Sequence, residues 1–288
     1  LEVTMIKKEV EKILQYVQKP ARYVGGELNS VVKNPDEVAL RYAFCFPDTY
    51  EIGMSHLGMK ILYGLVNARD DAWCERVFAP DTDMEELMRK NNIPLFALES
   101  GDYIKDFDII GFTLQYELSY TNVLNMLDLA GIKLFSKDRT ELTPIICCGG
   151  PCACNPEPIA DFFDIVFLGD GEETTEQVLD LLKYCKENGL SKHDFLLKAK
   201  DIRGIYVPSF YEPSYNDDGT LRELKPINGA PEKVKKAVVA NMDTCYYPDK
   251  FVVPFINIVH DRAVEEIFRG CIRGCRFCQA GFTYRPIR

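Results

Sequence analysis

The sequence predicts an α/β protein built on a parallel sheet with helices on both faces. Short apolar runs of strand length recur between residues 39 and 168, separated by segments with apolar residues at helical spacing. Such runs, apolar along their whole length, are how strands buried on both faces read. Glycine pairs follow two of the runs, at Cys147-Cys148-Gly149-Gly150 and Leu168-Gly169-Asp170-Gly171, where a chain leaving a strand turns sharply into a helix. With 288 residues, the chain is long enough for one large or two ordinary domains.

Taken in order, residues 5–17 place Ile6, Val10, Ile13, Leu14 and Val17 on one stripe, an amphipathic helix that Lys19-Pro20 ends. Strands are expected at 39–46, 73–78, 95–98, 109–113, 144–148 and 165–168, with helices at 57–68, 84–91, 119–130 and 172–187. Ligands in such sheets bind at the carboxyl ends of the strands, near the switch in strand order. After a further helix at 191–200 the texture changes. Segments 205–210, 221–224 and 234–239 are short and β-like, and Asp217-Asp218-Gly219 between the first two is a hairpin signal. Residues 263–268 form a β-prone run that leads straight into a cysteine loop. The implied division is a helical lead-in (1–37), an α/β domain (38–202), a small β-rich connector (203–258) and the opening of a further domain (259–288).

The 44 acidic residues outnumber the 34 lysines and arginines, for a net charge of −10, so no extended phosphate-binding surface is advertised. Arg269, Arg273, Arg276, Arg285 and Arg288 are a local exception around the cysteine loop. They could meet an anionic substrate, although solvated surface arginines are the plainer reading. No apolar run approaches the ~20 residues of a membrane span. Eleven cysteines without an export signal point to a reducing compartment, the cytoplasm, where thiols stay free or bind metal.

The most specific motif is Cys271-x3-Cys275-x2-Cys278. Three thiolates can hold three irons of a four-iron, four-sulfur cube, whose fourth iron then stays open, as a catalytic metal site requires. A zinc knuckle would need a fourth ligand, and neither Cys245 nor His260 has finger-like spacing to the trio. Three clustered cysteines cannot pair among themselves as disulfides. The spacing, with Phe277 before the last cysteine and glycines inside the loop, resembles the radical S-adenosylmethionine (SAM) superfamily.

That resemblance implies that Cys271, Cys275 and Cys278 bind a [4Fe-4S] cluster and that the open iron binds the amino and carboxylate groups of SAM. It further implies reductive cleavage to methionine and a 5′-deoxyadenosyl radical, which abstracts hydrogen from an unactivated C–H position. Phe277 would pack beside the adenine, and a reductant such as a flavodoxin or ferredoxin would deliver the electron. Residues 263–268 would be the first strand of a (β/α) barrel, with the cysteines on the loop at its end. Activity is expected of a longer chain, since a complete barrel needs ~200 or more residues.

A second resemblance concerns the N-terminal part. The stretch Phe46-Pro47-Asp48-Thr49-Tyr50-Glu51-Ile52-Gly53-Met54-Ser55-His56-Leu57-Gly58, with Gly149-Gly150-Pro151, Asn155-Pro156-Glu157-Pro158 and Gly169-Asp170-Gly171-Glu172, is similar to the flavodoxin-like, cobalamin-binding-like domain that precedes many radical SAM domains. Pro20-Ala21-Arg22-Tyr23-Val24-Gly25-Gly26-Glu27, His260-Asp261-Arg262 and Gly281-Phe282-Thr283-Tyr284-Arg285-Pro286-Ile287-Arg288 resemble an uncharacterised bacterial family of that architecture. The cobalamin-like site so implied comprises Ser55, His56, Gly58, Gly149, Gly150, Gly169 and Gly171. The sequence departs from D-x-H-x-x-G, because Met54 stands where an aspartate would orient the histidine and Gly58 comes one residue early. A ligating histidine normally donates its other N–H to a carboxylate or carbonyl, so a helix N-cap or core position is the plainer reading of Ser55-His56.

Two alternatives to hydrogen abstraction stay open: cobalamin-dependent methyl or methylthio transfer to RNA or protein, and a non-catalytic interaction module with a structural metal. Cys147, Cys148, Cys152 and Cys154 do not suggest a second metal site, because adjacent strand residues face opposite ways. Cys45, Cys74 and Cys185 read as core.

Overall fold

The computed structural model describes residues 7–288, and its centre is a six-stranded sheet. Strands β1 (Leu40–Phe46), β2 (Ala72–Phe78), β3 (Ile109–Thr113), β4 (Ile145–Gly149) and β5 (Ile165–Phe167) are parallel, in the order β2-β1-β3-β4-β5. β6 (Ile205–Tyr206) adds antiparallel to β5. Almost every residue of the parallel strands is buried, which explains why they read as continuous apolar runs. From β1 the chain steps to β2 on one side, then crosses back past β1 to β3. The strand order therefore reverses between β1 and β3, the arrangement of flavodoxin-like folds.

Right-handed crossovers put the helices that follow these opposite steps on opposite faces. α3 (Leu57–Asn67), from β1 to β2, packs against α6 (Glu172–Glu187). α4 (Thr82–Asn91) and α5 (Tyr120–Leu129) cover the other face, where Arg89 pairs with Asp128 at 2.8 Å and bonds Asn125 at 2.6 Å. Between β1 and α3 lies a single helical turn, α2 (Tyr50–Gly53). α7 (Lys192–Ala199) packs on α6 and starts in a Ser191/Asp194 capping box. The expected helix at 5–17 is observed as α1 (Lys8–Leu14), with Val10 and Ile13 buried; Met5 and Ile6 lie outside the described residues.

Four expected strands are corrected. Residues 95–98 are buried, but their backbone N–H groups go to Leu129, Asp102 and Arg76, so the segment knits β2 to α5 without entering the ladder. Residues 205–210 pair only at Ile205–Tyr206, and the hairpin around Asp217-Asp218-Gly219 joins β7 (Tyr211–Tyr215) to β8 (Leu221–Pro226). Segment 234–239 contributes one isolated parallel bridge, Ala237 to Gly169. Residues 263–268 have no ladder partner among the described residues and form no strand, since β-propensity without a neighbouring strand leaves the backbone groups unpaired.

β2 also buries an ion triad. Arg76 Nη2 meets Glu27 Oε2 at 2.7 Å and its Nε meets Glu99 Oε1 at 2.6 Å, all three nearly inaccessible. Tyr50 donates to Glu27 at 2.8 Å, so the glycine-rich lead-in at Gly25-Gly26 is anchored against the edge strand. No helix of the described residues is long and apolar enough to cross a membrane.

Candidate functional site

Above the carboxyl ends of β1, β3 and β4, at the switch in strand order, a cavity of about 440 Å³ opens. Tyr42, Phe44, Gly111, Cys147 and Phe167 form its floor on the sheet. Leu57, Ile61 and Leu62 of α3 wall one side, and Gly171, Glu172 and Thr175 of α6 another. The roof is the cysteine segment itself, through Phe268, Arg269, Gly270 and Tyr284.

Ion pairs and backbone bonds hold that roof. Arg269 contacts Glu172 at 2.5 Å, Glu266 at 2.8 Å and Asp170 at 3.4 Å, and Arg288 also pairs with Asp170. Arg269 and Arg288 exchange backbone hydrogen bonds of 2.9 Å, closing the cysteine loop at its base. Lys236 of the connector donates to the carbonyls of Thr283, at 2.8 Å, and Arg285. Arg285 reaches across the loop to the carbonyls of Cys271 and Arg273. Three of the five clustered arginines therefore fasten the loop. The acidic partners Asp170 and Glu172 come from the turn after β5, and composition alone gives no hint of that pairing.

The cavity gathers His56, Gly58, Gly149, Gly150, Gly169 and Gly171 along its lining, while Ser55 stands outside it. Ser55 donates to the Glu51 carbonyl at 2.7 Å and accepts the His260 N–H at 3.0 Å, tying the α2–α3 turn to the segment before the cysteines. His56 is the N-cap of α3, its Nδ1 accepting the Met59 N–H at 3.1 Å. That bond fixes the tautomer: the proton of the neutral ring sits on Nε2, which then has no lone pair for a metal. Burial lowers the His56 pKa, against a smaller opposing pull from Gln115, which favours this neutral form.

The glycines serve close contacts. A Cβ on Gly58 would sit 2.9 Å from the His56 ring, so Gly58 makes room for the cap. At Gly150, with φ of 98°, a Cβ would meet the Leu114 carbonyl at 2.6 Å; at Gly169, with φ of 101°, it would meet the Ala237 carbonyl at 2.0 Å. Both turns press against neighbouring backbone. Gly149 differs, since an added Cβ would meet only Phe167, at 3.4 Å or more. Sequence reasoning missed Tyr42, Phe44, Gly111, Thr113 and Gln115. For Thr113 and Gln115 the available signal was their place at or just past the carboxyl end of β3; Tyr42, Phe44 and Gly111 lie within the strands and carry no such signal.

Cys271, Cys275 and Cys278 stand on the irregular loop as free thiols, Cys275 exposed and the other two half-buried, and Phe277 is 94% exposed. Among the described residues no three His, Cys, Asp or Glu side chains converge on a common point, here or around Cys147–Cys154. The donor set itself fits an iron–sulfur cluster: three thiols within eight residues, reachable from solvent, on a loop where even a Cβ added at Gly274 would meet nothing within 4 Å. The remaining thiols are core or isolated. Cys147 and Cys148 are buried, Cys147 pushed up to about 12 by burial, so neither offers a ready thiolate.

Residues 58–208, just over half of the chain, match the family described as "Radical SAM proteins, N-terminal". An uncharacterized protein of the archaeon Methanocaldococcus jannaschii is 26% identical over an alignment of 258 residues that covers 85% of this chain and 42% of that protein. The chain thus spans less than half the length of this relative, which is archaeal rather than bacterial. No solved structure matches the chain to a significant degree. The match runs through β2 to β5 and both glycine turns, the sheet that carries the cavity, and by it the chain belongs to the radical SAM proteins.

Proposed function

We propose that this chain is the N-terminal part of an enzyme that cleaves SAM reductively at a [4Fe-4S] cluster held by Cys271, Cys275 and Cys278. The observation that carries the reading is the C-x3-C-x2-C motif on a loop whose base is fastened to a sheet of this family. When bound, such a cluster supplies the electron that splits SAM into methionine and a 5′-deoxyadenosyl radical. The chain's own residues hold the loop: Arg269 braces its base against α6, and Arg285 bonds the carbonyls of Cys271 and Arg273. Phe277, free of packing in the described residues, is available to lie beside the adenine. A flavodoxin or ferredoxin is the proposed electron donor. Cobalamin-dependent transfer is the weaker reading, because His56 uses its free nitrogen lone pair as a helix cap.

Anaerobic reconstitution with iron and sulfide tests the proposal. A brown protein with visible absorbance is expected, with iron binding lost in Cys271→Ala, Cys275→Ala and Cys278→Ala and kept in Cys152→Ala. Full iron occupancy in Cys275→Ala, or a colourless protein that takes only zinc, would overturn it.

A further inference from the structure

We infer that the cavity under the cysteine segment is a small-molecule site in its own right, built for an unphosphorylated nucleoside. Its volume, about 440 Å³, lies in the range of small-ligand pockets. A nucleoside fits that space, and a whole corrinoid is far too large for it. Aromatic residues line it on both sides: Phe44 and Phe167 from the sheet, Phe268 and Tyr284 from the cysteine segment. Aromatic stacking suits any base, because every base has a π-face.

The two ends of the cavity differ in the chemistry they offer. At one end Gln115 donates to Thr113 Oγ1 at 2.7 Å and lies beside His56, leaving amide and hydroxyl groups to read both donors and acceptors on a base edge. At the other end stand the Asp170 and Glu172 carboxylates, already paired with Arg269 and Arg288, whose remaining lone pairs can accept hydrogen bonds from ribose hydroxyls.

Phosphate is disfavoured at the place where an α/β fold usually holds it. The N-terminus of a strand-following helix binds phosphate through free N–H groups and the helix dipole. Here the first turn of α6 carries Glu172 and Glu173, and Asp170 precedes it. Arg269 and Arg288 are already committed to those carboxylates. A phosphate arriving there would face like charge with its natural counter-ions engaged.

The test uses the full-length chain with Cys271, Cys275 and Cys278 all replaced by alanine, so that SAM binding at a cluster contributes nothing. Adenosine, guanosine, cytidine and uridine are the probes, in equilibrium dialysis. At least one should bind saturably, and its 5′-monophosphate should bind at least about tenfold more weakly. Gly149→Leu should weaken nucleoside binding by at least about tenfold, because Gly149 lines the cavity and a side chain there would start against Phe167, which lines it too. A short RNA should not compete with the nucleoside, because each internal unit carries a phosphodiester on both sides of its ribose, and competition would overturn the inference. Absence of binding by all four nucleosides, equal binding of the monophosphate, or full binding in a folded Gly149→Leu protein would each overturn the inference. Should Gly149→Leu fail to fold, the imidazole resonances decide: nucleoside should shift His56 and leave His193 unmoved, and an unshifted His56 overturns it.

Discussion

His56 accepts the Met59 N–H while Gly58, lacking a side chain, gives its ring the space to do so. The residue types were legible in the sequence: a histidine without its aspartate, and a glycine one place early, argued for a cap. The tautomer was not, because it depends on which nitrogen the backbone reaches. His56→Ala should cost about 1 kcal/mol of stability, the usual worth of an N-cap, while His56→Asn should restore most of it. Neither substitution should change hydroxocobalamin affinity by as much as about tenfold. Acid titration gives a second readout. The folded-state pKa of His56 lies below its unfolded value near ~6.5, so its contribution is complete above that pH and is lost as pH falls toward the folded value. Urea denaturation of His56→Asn should therefore show a flatter stability profile below about pH 6.5 than the parent protein. An unchanged profile would mean that the ring is not held neutral by burial.

The elements divide into those that local sequence dictates and those that depend on a neighbour. β1 to β5 and α3 to α7 were readable because burial on both faces leaves apolar runs, and burial on one face leaves a helical stripe. Residues 95–98, 234–239 and 263–268 also read as β-prone, yet they run as irregular chain because no strand pairs with them beyond single bridges. Charged residues in a strand were the other feature that pattern could not place. Glu75 and Arg76 sit in fully buried β2, and Arg76 is matched by Glu27 from the lead-in and Glu99 from the loop after α4. Burial alone would raise the Glu27 carboxyl, but Arg76 overcomes this and holds it below its ordinary value. Arg76→Met leaves two carboxylates buried without a cation and should cost about 3–5 kcal/mol in urea denaturation. Replacing Glu27 and Glu99 by Leu in the same protein should recover a substantial part of that loss. A triple variant less stable than Arg76→Met alone would show that the triad contributes more than charge compensation.

Across the whole molecule, the cysteine loop is tied to the turn and helix after β5 by Arg269 and Arg288, which pair with Asp170 and Glu172. Glu172→Gln removes the shortest of the Arg269 contacts without opening the core. Hydrogen exchange should accelerate in residues 262–288 and stay unchanged in β1, β3 and β4. Exchange that accelerates equally in β3 would show that the roof is part of the same cooperative unit as the sheet.

The eleven cysteines report on that division and on the cluster together. Alkylation needs a thiolate and access to it. Cys45, Cys74, Cys147 and Cys148 have neither, since they are buried and burial raises their pKa values; Cys185 is buried as well. Cys275 is exposed. Cys154 is exposed too, but its thiol is raised by partial desolvation, so it should react more slowly. In the metal-free, anaerobic protein at neutral pH, Cys275 should label first and the half-buried Cys271 and Cys278 next, while the six buried thiols, Cys152 among them, should wait for denaturant. Reconstitution with iron and sulfide should then protect Cys271, Cys275 and Cys278 together and leave Cys154 as reactive as before, because a cluster anchored by three thiolates engages all of them at once. Labelling of Cys147 at the rate of Cys275 would contradict the packing of β4. Labelling of Cys275 that ignores reconstitution would take the cluster off this loop.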